Sequence, residues 1–439
     1  MNTRARHLRR GLLLLLAALL AGSVTAAAGA DRGHHGDHGH HGHHGHGRTA
    51  ALYVSSKGTT GAADRNCHSA AFASVQAAVD AAPAGGTVVV CRGTYSEDVV
   101  IAKPLRLLGT HGAVIHGVPT STQVCDQLGP NGPGTAPCLA GITIKSSHVA
   151  VEGLTVTGAL GEGILATGSL AGHSIGDVLI EGNRVIGNDL GGIPPTTSSP
   201  YPQCVAVGQV PGDCGEGIHL MGVYDSVVSH NLVKGNSGGI LLTDEFGPTH
   251  GNLITHNVVT KNLYDCGITA PGHNPFALDS SGNPQPSVAG VYDNVISHNR
   301  ITGNGTSGEG AGVLFANATA GTASYDNVVA HNYIAGNGMA GVTLHAHPLA
   351  AGQFEDLSGN RIVHNTIATN NSLGDPDAGD TATTGVLVYS GTVPLEVTIA
   401  HNRIRDDQYG IWLGVAGHVS ATLRHNVFQR VTTPVYTSP

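Results

Sequence analysis

Asn294-Val-Ile-Ser-His-Asn-Arg-Ile-Thr-Gly-Asn304, followed by Gly312-Val313-Leu314-Phe315, is the stretch that decides the fold. Two short apolar alternations are divided by one Asn and closed by a second, and a glycine opens the next apolar run. The same His-Asn pair ends such a run seven times, at His230-Asn231, His256-Asn257, His298-Asn299, His331-Asn332, His364-Asn365, His401-Asn402 and His425-Asn426. A second Asn follows five residues after the first at Asn236, Asn262, Asn304 and Asn337. Successive first Asn residues lie 26, 42, 33, 33, 37 and 24 positions apart, which reads as a unit of about two dozen residues lengthened in places by a loop. Alternation with period two marks strands, and Asn or Gly at the junctions marks corners. Asn tolerates left-handed backbone geometry, and its amide can bond an identical amide on the next coil. An all-β right-handed parallel β-helix is expected.

Composition agrees. Glycine supplies 64 of 439 residues, aromatics 4% and charged residues 12%, so cohesion must come from stacked small aliphatics and backbone ladders. No three-residue glycine period runs through the chain, which excludes collagen. The net charge of −9, with no basic stripe, argues against a nucleic-acid partner.

The amino terminus reads as an address. Arg4, Arg6, Arg9 and Arg10 precede the apolar run from Leu12 to Leu20, and Ala28-Gly29-Ala30 is a small-x-small cleavage site, so residues 1–30 are expected to be a signal peptide. No later segment has membrane-spanning length, and a secreted protein without a membrane anchor is expected. Residues 31–50 form a leader holding His34, His35, His38, His40, His41, His43, His44 and His46 among glycines. Lacking apolar residues, it is expected to stay unfolded alone and to offer imidazoles to zinc, copper or nickel. The alternative is a solvated linker whose metal affinity is incidental.

Cysteine use fits export. Cys67 with Cys91, Cys125 with Cys138 and Cys204 with Cys214 form couples near in sequence, read as disulfides. Cys266, the odd one, reads as a buried small residue.

Residues 51–117 read as a cap with the first coils, and 118–439 as the repeats. Ala51–Ser55 is a strand, and Phe72, Val75 and Val79 have helical spacing in a segment ending before Pro83. The stretch Phe72–Pro83 followed by Gly93-Thr94-Tyr95-Ser96-Glu97 resembles the opening of pectin methylesterases and other secreted β-helix proteins. That resemblance implies a helix plugging the solenoid's open end and hiding its strand edge. The His-Asn repeats are similar to the broad right-handed β-helix superfamily, with its pectate lyases, alginate epimerases and copper-accessory proteins of nitrous oxide reductase assembly. The resemblance covers most of the chain after residue 51 and implies fold more than activity. Pectin methylesterases carry an Asp-Phe-Ile-Phe-Gly motif that has no counterpart here, so esterase activity is not expected.

Chemistry must then come from the columns of the solenoid. The units align on Gly217, Gly239, Gly267, Gly312, Gly341, Gly385 and Gly410. Residues one and three places later, such as Ile218 and Leu220, should point inward. Those two and four places later should point out, among them His219, Thr269, His345, Tyr389 and Trp412, which with His347 are candidate substrate contacts. Adjacent coils lie about 4.8 Å apart, which should make Glu245 and His273 neighbours. Asp244 and His250 share the loop of Glu245, and Asp265 lies on the coil of His273. Carboxylates and imidazoles in one groove suit acid–base work on a sugar, and Asp244 with Glu245 could hold calcium. Asp244, Glu245, His250, Asp265 and His273 are therefore the candidate catalytic residues. The repeated His of the His-Asn pairs reads instead as stacking and turn solvation. These features lead to a secreted protein acting on an extracellular polysaccharide, as a lyase or C5-epimerase of a uronate-containing glycan. A glycoside hydrolase and a non-catalytic metal- or glycan-binding scaffold are the alternatives.

Overall fold

The computed structural model describes residues 51–59, 63–118, 140–168, 173–188, 216–272, 290–307, 310–317, 321–346, 355–375, 379, 381–391 and 394–439. It also gives the backbone of four two-residue strands between 124 and 137. The chain is a right-handed parallel β-helix. Three long parallel sheets run the length of the solenoid. The first has twelve strands, from Leu52–Val54 to Val419–Arg424. The second has eleven, from Gly93–Ser96 to Val427–Gln429, and the third eleven, from Val99–Ile101 to Thr433–Thr437. A fourth sheet of five two-residue strands, Ile175–Gly176 to Ser324–Tyr325, lies between the third and the first in chain order. One coil passes through Ile240–Thr243, Thr249–His250, Leu253–Thr255 and Val258–Thr260 before the third sheet resumes at Ile268–Thr269.

The glycine alignment holds in the register. Ile218, Ile240, Ile268, Val313, Val342, Val386 and Ile411 are successive partners on the third sheet, and all are fully buried. They join one continuous aliphatic core with Val228, Ile254 and Ile296 of the first sheet and Val233, Val259 and Ile301 of the second.

The corners explain the repeated Asn. Asn299 Nδ2 donates to Ile254 O at 2.9 Å and to Asn332 Oδ1 at 3.0 Å, while its Oδ1 accepts from Asn257 N at 2.9 Å and Nδ2 at 3.0 Å. The pattern runs from Asn183 to Asn426. A second amide ladder runs from Asn188 through Asn236, Asn262, Asn304, Asn337 and Asn370 to Asp407. A third, unanticipated, links Ser226, Asn252, Asn294, Asn327 and Asn360 at the entry to the first sheet. Each buried amide bonds the preceding coil and the next, so the corners satisfy the polar groups that bending a strand exposes.

The histidine of each pair takes the left-handed corner position, with φ between 51° and 59° at all seven. All seven rings are exposed, and they stack face to face at centroid separations of 4.7–5.1 Å. They form a ladder, as their spacing implied.

At the amino-terminal end the cap helix α1, Val75–Ala81, is shorter than the helical spacing from Phe72 suggested. Phe72 instead bridges to Val54, and Ser74 caps the helix by accepting from Ala77 N. Glu97 completes the cap: its carboxylate accepts from Ser74 Oγ, Val75 N and Gln76 N at 2.7–2.9 Å. Cys67 and Cys91 are disulfide-bonded, closing a loop that cross-linking stabilises by roughly 3 kcal/mol. Cys138, Cys204 and Cys214, and the side chain of Cys125, lie outside the described residues, as do the signal segment and the His-rich leader.

Candidate functional site

The outer face of the third sheet differs from the expected open groove. His219, Thr269 and His345 do point away from the core, but they are buried, as are Leu165, Leu241, Thr343 and Leu387 in the same columns. Over the earlier coils a second apolar layer lies outside the sheet, where Leu165 and Met221 pack with Ala140 and Phe246. Strands such as Gly-Ile-Leu-Leu and Gly-Val-Leu-Val read as unbroken apolar runs because both of their faces are covered. The candidate substrate contacts His219, Thr269 and His345 are thus enclosed rather than solvent-facing. Tyr389 and Trp412, further along, are half-buried.

Beneath that cover lies a polar cluster. His219 Nε2 is 2.8 Å from Thr243 Oγ1 on the next coil, and its Nδ1 is 3.4 Å from Glu162 Oε1 on the preceding one. Glu162 and Glu216 hold equivalent corner positions on adjacent coils, since Ile164 pairs with Ile218 and Gly163 N donates to Glu216 O. Glu216 and Asp265 then converge over Gly238: a methyl group there would stand 3.0 Å from Glu216 Cγ and 3.3 Å from Asp265 Cβ. A side chain there would require both neighbours to give by a few tenths of an ångström. Glu162, Glu216, His219, Thr243 and Asp265 are each at most 5% exposed. Glu162 Oε2 has no hydrogen-bond partner among the described residues. Enclosing carboxylates costs several kcal/mol for each one left ionised, so this is an expensive arrangement for a purely structural corner.

Sequence reasoning missed Glu162 and Glu216. The signal was present as a duplicated motif, Gly161-Glu-Gly-Ile164 and Gly215-Glu-Gly-Ile218, but the alignment began one coil too late to pair them.

The remaining candidates are dispersed. Asp244 follows Thr243 directly and is buried, and Glu245 is half-buried. Asp265 Oδ1 accepts from Cys266 N at 2.6 Å. Cys266 is a free, buried thiol, pushed well above its ordinary pKa by burial and by the charge of Asp265. His250 sits on the fourth sheet, stacked between Tyr224 and Tyr292 at 5.7 and 4.9 Å in a ring ladder that continues to Tyr325. His345 meets Tyr389 edge-on at 5.4 Å. Trp412 joins Tyr409 and Tyr436 in an aromatic group near the carboxyl-terminal end, with centroids 4.9–5.3 Å apart. His273 and His347 lie outside the described residues. Among the described residues no group of three or more His, Cys, Asp or Glu is placed to hold a metal ion.

Residues 147–381 match the family described as NosD, periplasmic copper-binding protein. The chain belongs to that family. No curated protein matches the NosD-family chain itself. Solved structures share its fold at low identity. An A-module of a mannuronan C-5 epimerase from Azotobacter vinelandii is 18% identical over 83% of this chain and 94% of its own, with a TM-score of 0.51. A lacto-N-biosidase from Eubacterium ramulus is 13% identical over 87% of this chain and 68% of its own, at 0.55. A pectate lyase is 13% identical over 85% and 78%, at 0.50. At such identities the likeness establishes the parallel β-helix. Among the described residues no helix is long and apolar enough to cross a membrane.

Proposed function

We propose that this NosD-family protein works outside the cytoplasm on an acidic polysaccharide, with its chemistry at the enclosed cluster on the third sheet. The observation that carries the reading is His219 held between the Glu162 carboxylate and the Thr243 hydroxyl, beside Glu216 and Asp265. A carboxylate behind an imidazole fixes its tautomer and stabilises the charged form, which suits a base. The Thr243 hydroxyl occupies the other ring nitrogen, where a sugar proton would have to be delivered. A polymer could reach it only if the outer layer over the third sheet parts. Glu245, half-buried in the turn after Thr243, would then lie at the outer edge of the same groove. The saccharide-acting epimerase, lyase and biosidase that share the fold support the substrate class, and a lyase or C5-epimerase fits a single-base site better than hydrolysis. Treatment of a polysaccharide panel, read for unsaturated uronate absorbance, for new reducing ends and by NMR for inverted C5 configuration, tests this. Unsaturated or C5-inverted product, lost in His219→Ala, is expected, and absence of any product from every acidic polymer would refute it.

A second reading has its own support: the family's description as copper-binding, and the eight leader histidines. Copper does not fit the described solenoid, because the stacked corner imidazoles lie face to face about 5 Å apart and no three donors converge. The leader, rich in imidazoles and free of competing apolar residues, has the donor chemistry to hold it. Deleting residues 31–48 should then abolish most copper uptake without affecting folding. Unchanged metal stoichiometry would place the site elsewhere.

A further inference from the structure

The seven corner histidines form a continuous exposed row, and the polar groups beside it are known. Among the described residues the one carboxylate paired with the row is Glu181, whose Oε1 lies 3.4 Å from His230 Nδ1 at its amino-terminal end. Thr255 Oγ1 lies 2.9 Å from His256 Nδ1. Within two residues of the row's own histidines every charge is basic, while Glu396 lies further back on the strand that ends before His401 and Asp406 is held by Arg405 and Arg430. Arg300 and Arg403 hold exposed positions two residues after their histidines at the start of second-sheet strands, and Arg424 directly precedes His425 at the end of the first sheet. Arg300 lies over Tyr333, and Arg403 bonds Gln429, so both are held at the surface beside the row.

We infer that this row is a proton-gated docking strip for an acidic polysaccharide laid along the solenoid axis. Neutral stacked imidazoles present no charge; protonated ones present a straight line of cations repeating at the inter-coil distance of 4.7–5.1 Å. Stacked cations repel one another, and a polyanion lying across them relieves that repulsion while gaining a regular set of contacts. Linear polyuronates carry one carboxylate per sugar along an extended chain, and a rigid row suits them better than a compact anion. Acid opens the strip, and neutral pH closes it. The inference takes only the class of polymer from the reading above. The strip lies at the corner between the first and second sheets, away from His219, so binding here and product formation there succeed or fail separately.

The test uses the full chain and polygalacturonate, with neutral dextran and duplex DNA as controls. Binding at pH 5 should exceed that at pH 8 by at least about tenfold and weaken with added salt. In the triple variant His298→Asn, His331→Asn, His364→Asn, which breaks the row at its centre, the pH dependence should fall clearly below that of the parent. Asn keeps the left-handed corner favourable, and the leader histidines are common to both proteins and cancel. Should the triple variant fold poorly, His331→Asn alone should lose part of the effect, with a His111→Asn protein, altered at an exposed histidine off the row, still binding as the parent does. Equal binding at the two pH values, or full pH dependence in both row variants, would overturn the strip. Equal acid-dependent retention of DNA would overturn the choice of polysaccharide.

Discussion

The corner between the first and second sheets and the outer face of the third sheet are built by opposite rules. At the corner one solution is repeated coil after coil, with an exposed His in left-handed geometry and then a buried Asn bonding the coil before and the coil after. On the third sheet the outward columns change at every coil: Leu165, His219, Leu241, Thr269, Leu314, Thr343, Leu387 and Trp412 follow one another. A repeated residue answers a need that every coil shares, which is closing a turn. A residue present on one coil answers a need that exists once. On the proposed function, that difference separates scaffold from chemistry inside one regular fold.

The largest expected effect comes from exchanging one histidine on each side of that divide. His219→Ala or Glu162→Gln should lower turnover of an acidic polysaccharide by at least about a hundredfold, whereas His331→Asn should leave turnover at neutral pH unchanged. An equal fall in both would merge the two regions into one functional surface.

Next comes the ladder itself. Asn299→Ala removes an amide that donates twice and accepts twice in the interior, at a cost of roughly 3 kcal/mol, visible as a lower melting temperature. Asn426→Ala, at the last and partly exposed rung, should cost less. Equal losses would mean that burial does not set the value of a rung.

Asp407 sharpens the comparison, because it places a carboxyl where the second ladder otherwise has an amide. Burial pushes it up to about 7. A carboxyl raised in the folded state contributes stability that is complete below 3.8, its ordinary value, and is lost as pH rises through about 7. Asp407→Asn should therefore raise the melting temperature at pH 8 and leave it nearly unchanged at pH 4. A variant destabilised at both would show that the ionised carboxylate is needed.

The smallest effect is the acid response of the corner. His298 is held below the ordinary 6.5 by burial and then by His331 and His256, and His401 by desolvation and then by His364 and His425. The folded chain binds fewer protons there than the unfolded one, so this contribution is present above 6.5 and declines as pH falls through the lowered folded values. Replacing His298, His331 and His364 with Asn should flatten the acid side of a melting-temperature profile. An unchanged profile would assign acid sensitivity to other groups.

Much of this was legible because repetition is visible in a linear sequence. The spacing of the His-Asn pairs and the glycine column predicted the corners, the stacked rings and the third-sheet register, and the Cys67–Cys91 couple proved to be a disulfide. The third amide ladder was harder to see, since Asn252, Asn294, Asn327 and Asn360 are not joined to a constant neighbour. Inward and outward positions followed from period two, but exposure did not. Whether an outward residue meets water depends on what else packs there, as Leu165, Met221 and Phe246 show. The cluster was half legible: His219 and Asp265 were singled out for other reasons, and Glu162 and Glu216 come together only because two coils stack. His250, chosen for its nearness in sequence to Glu245, belongs to a ring stack on another sheet.

The most direct test of where the chemistry lies is a crystal structure with an acidic oligosaccharide bound at pH 8, above the ordinary imidazole range and so with the corner row uncharged. The account predicts the sugar against the outer face of the third sheet, with a ring atom within hydrogen-bonding reach of Thr243 or His219 and the covering layer displaced. A sugar seated on the His-Asn corner at that pH, with the third-sheet cover closed over Glu162 and His219, would contradict it.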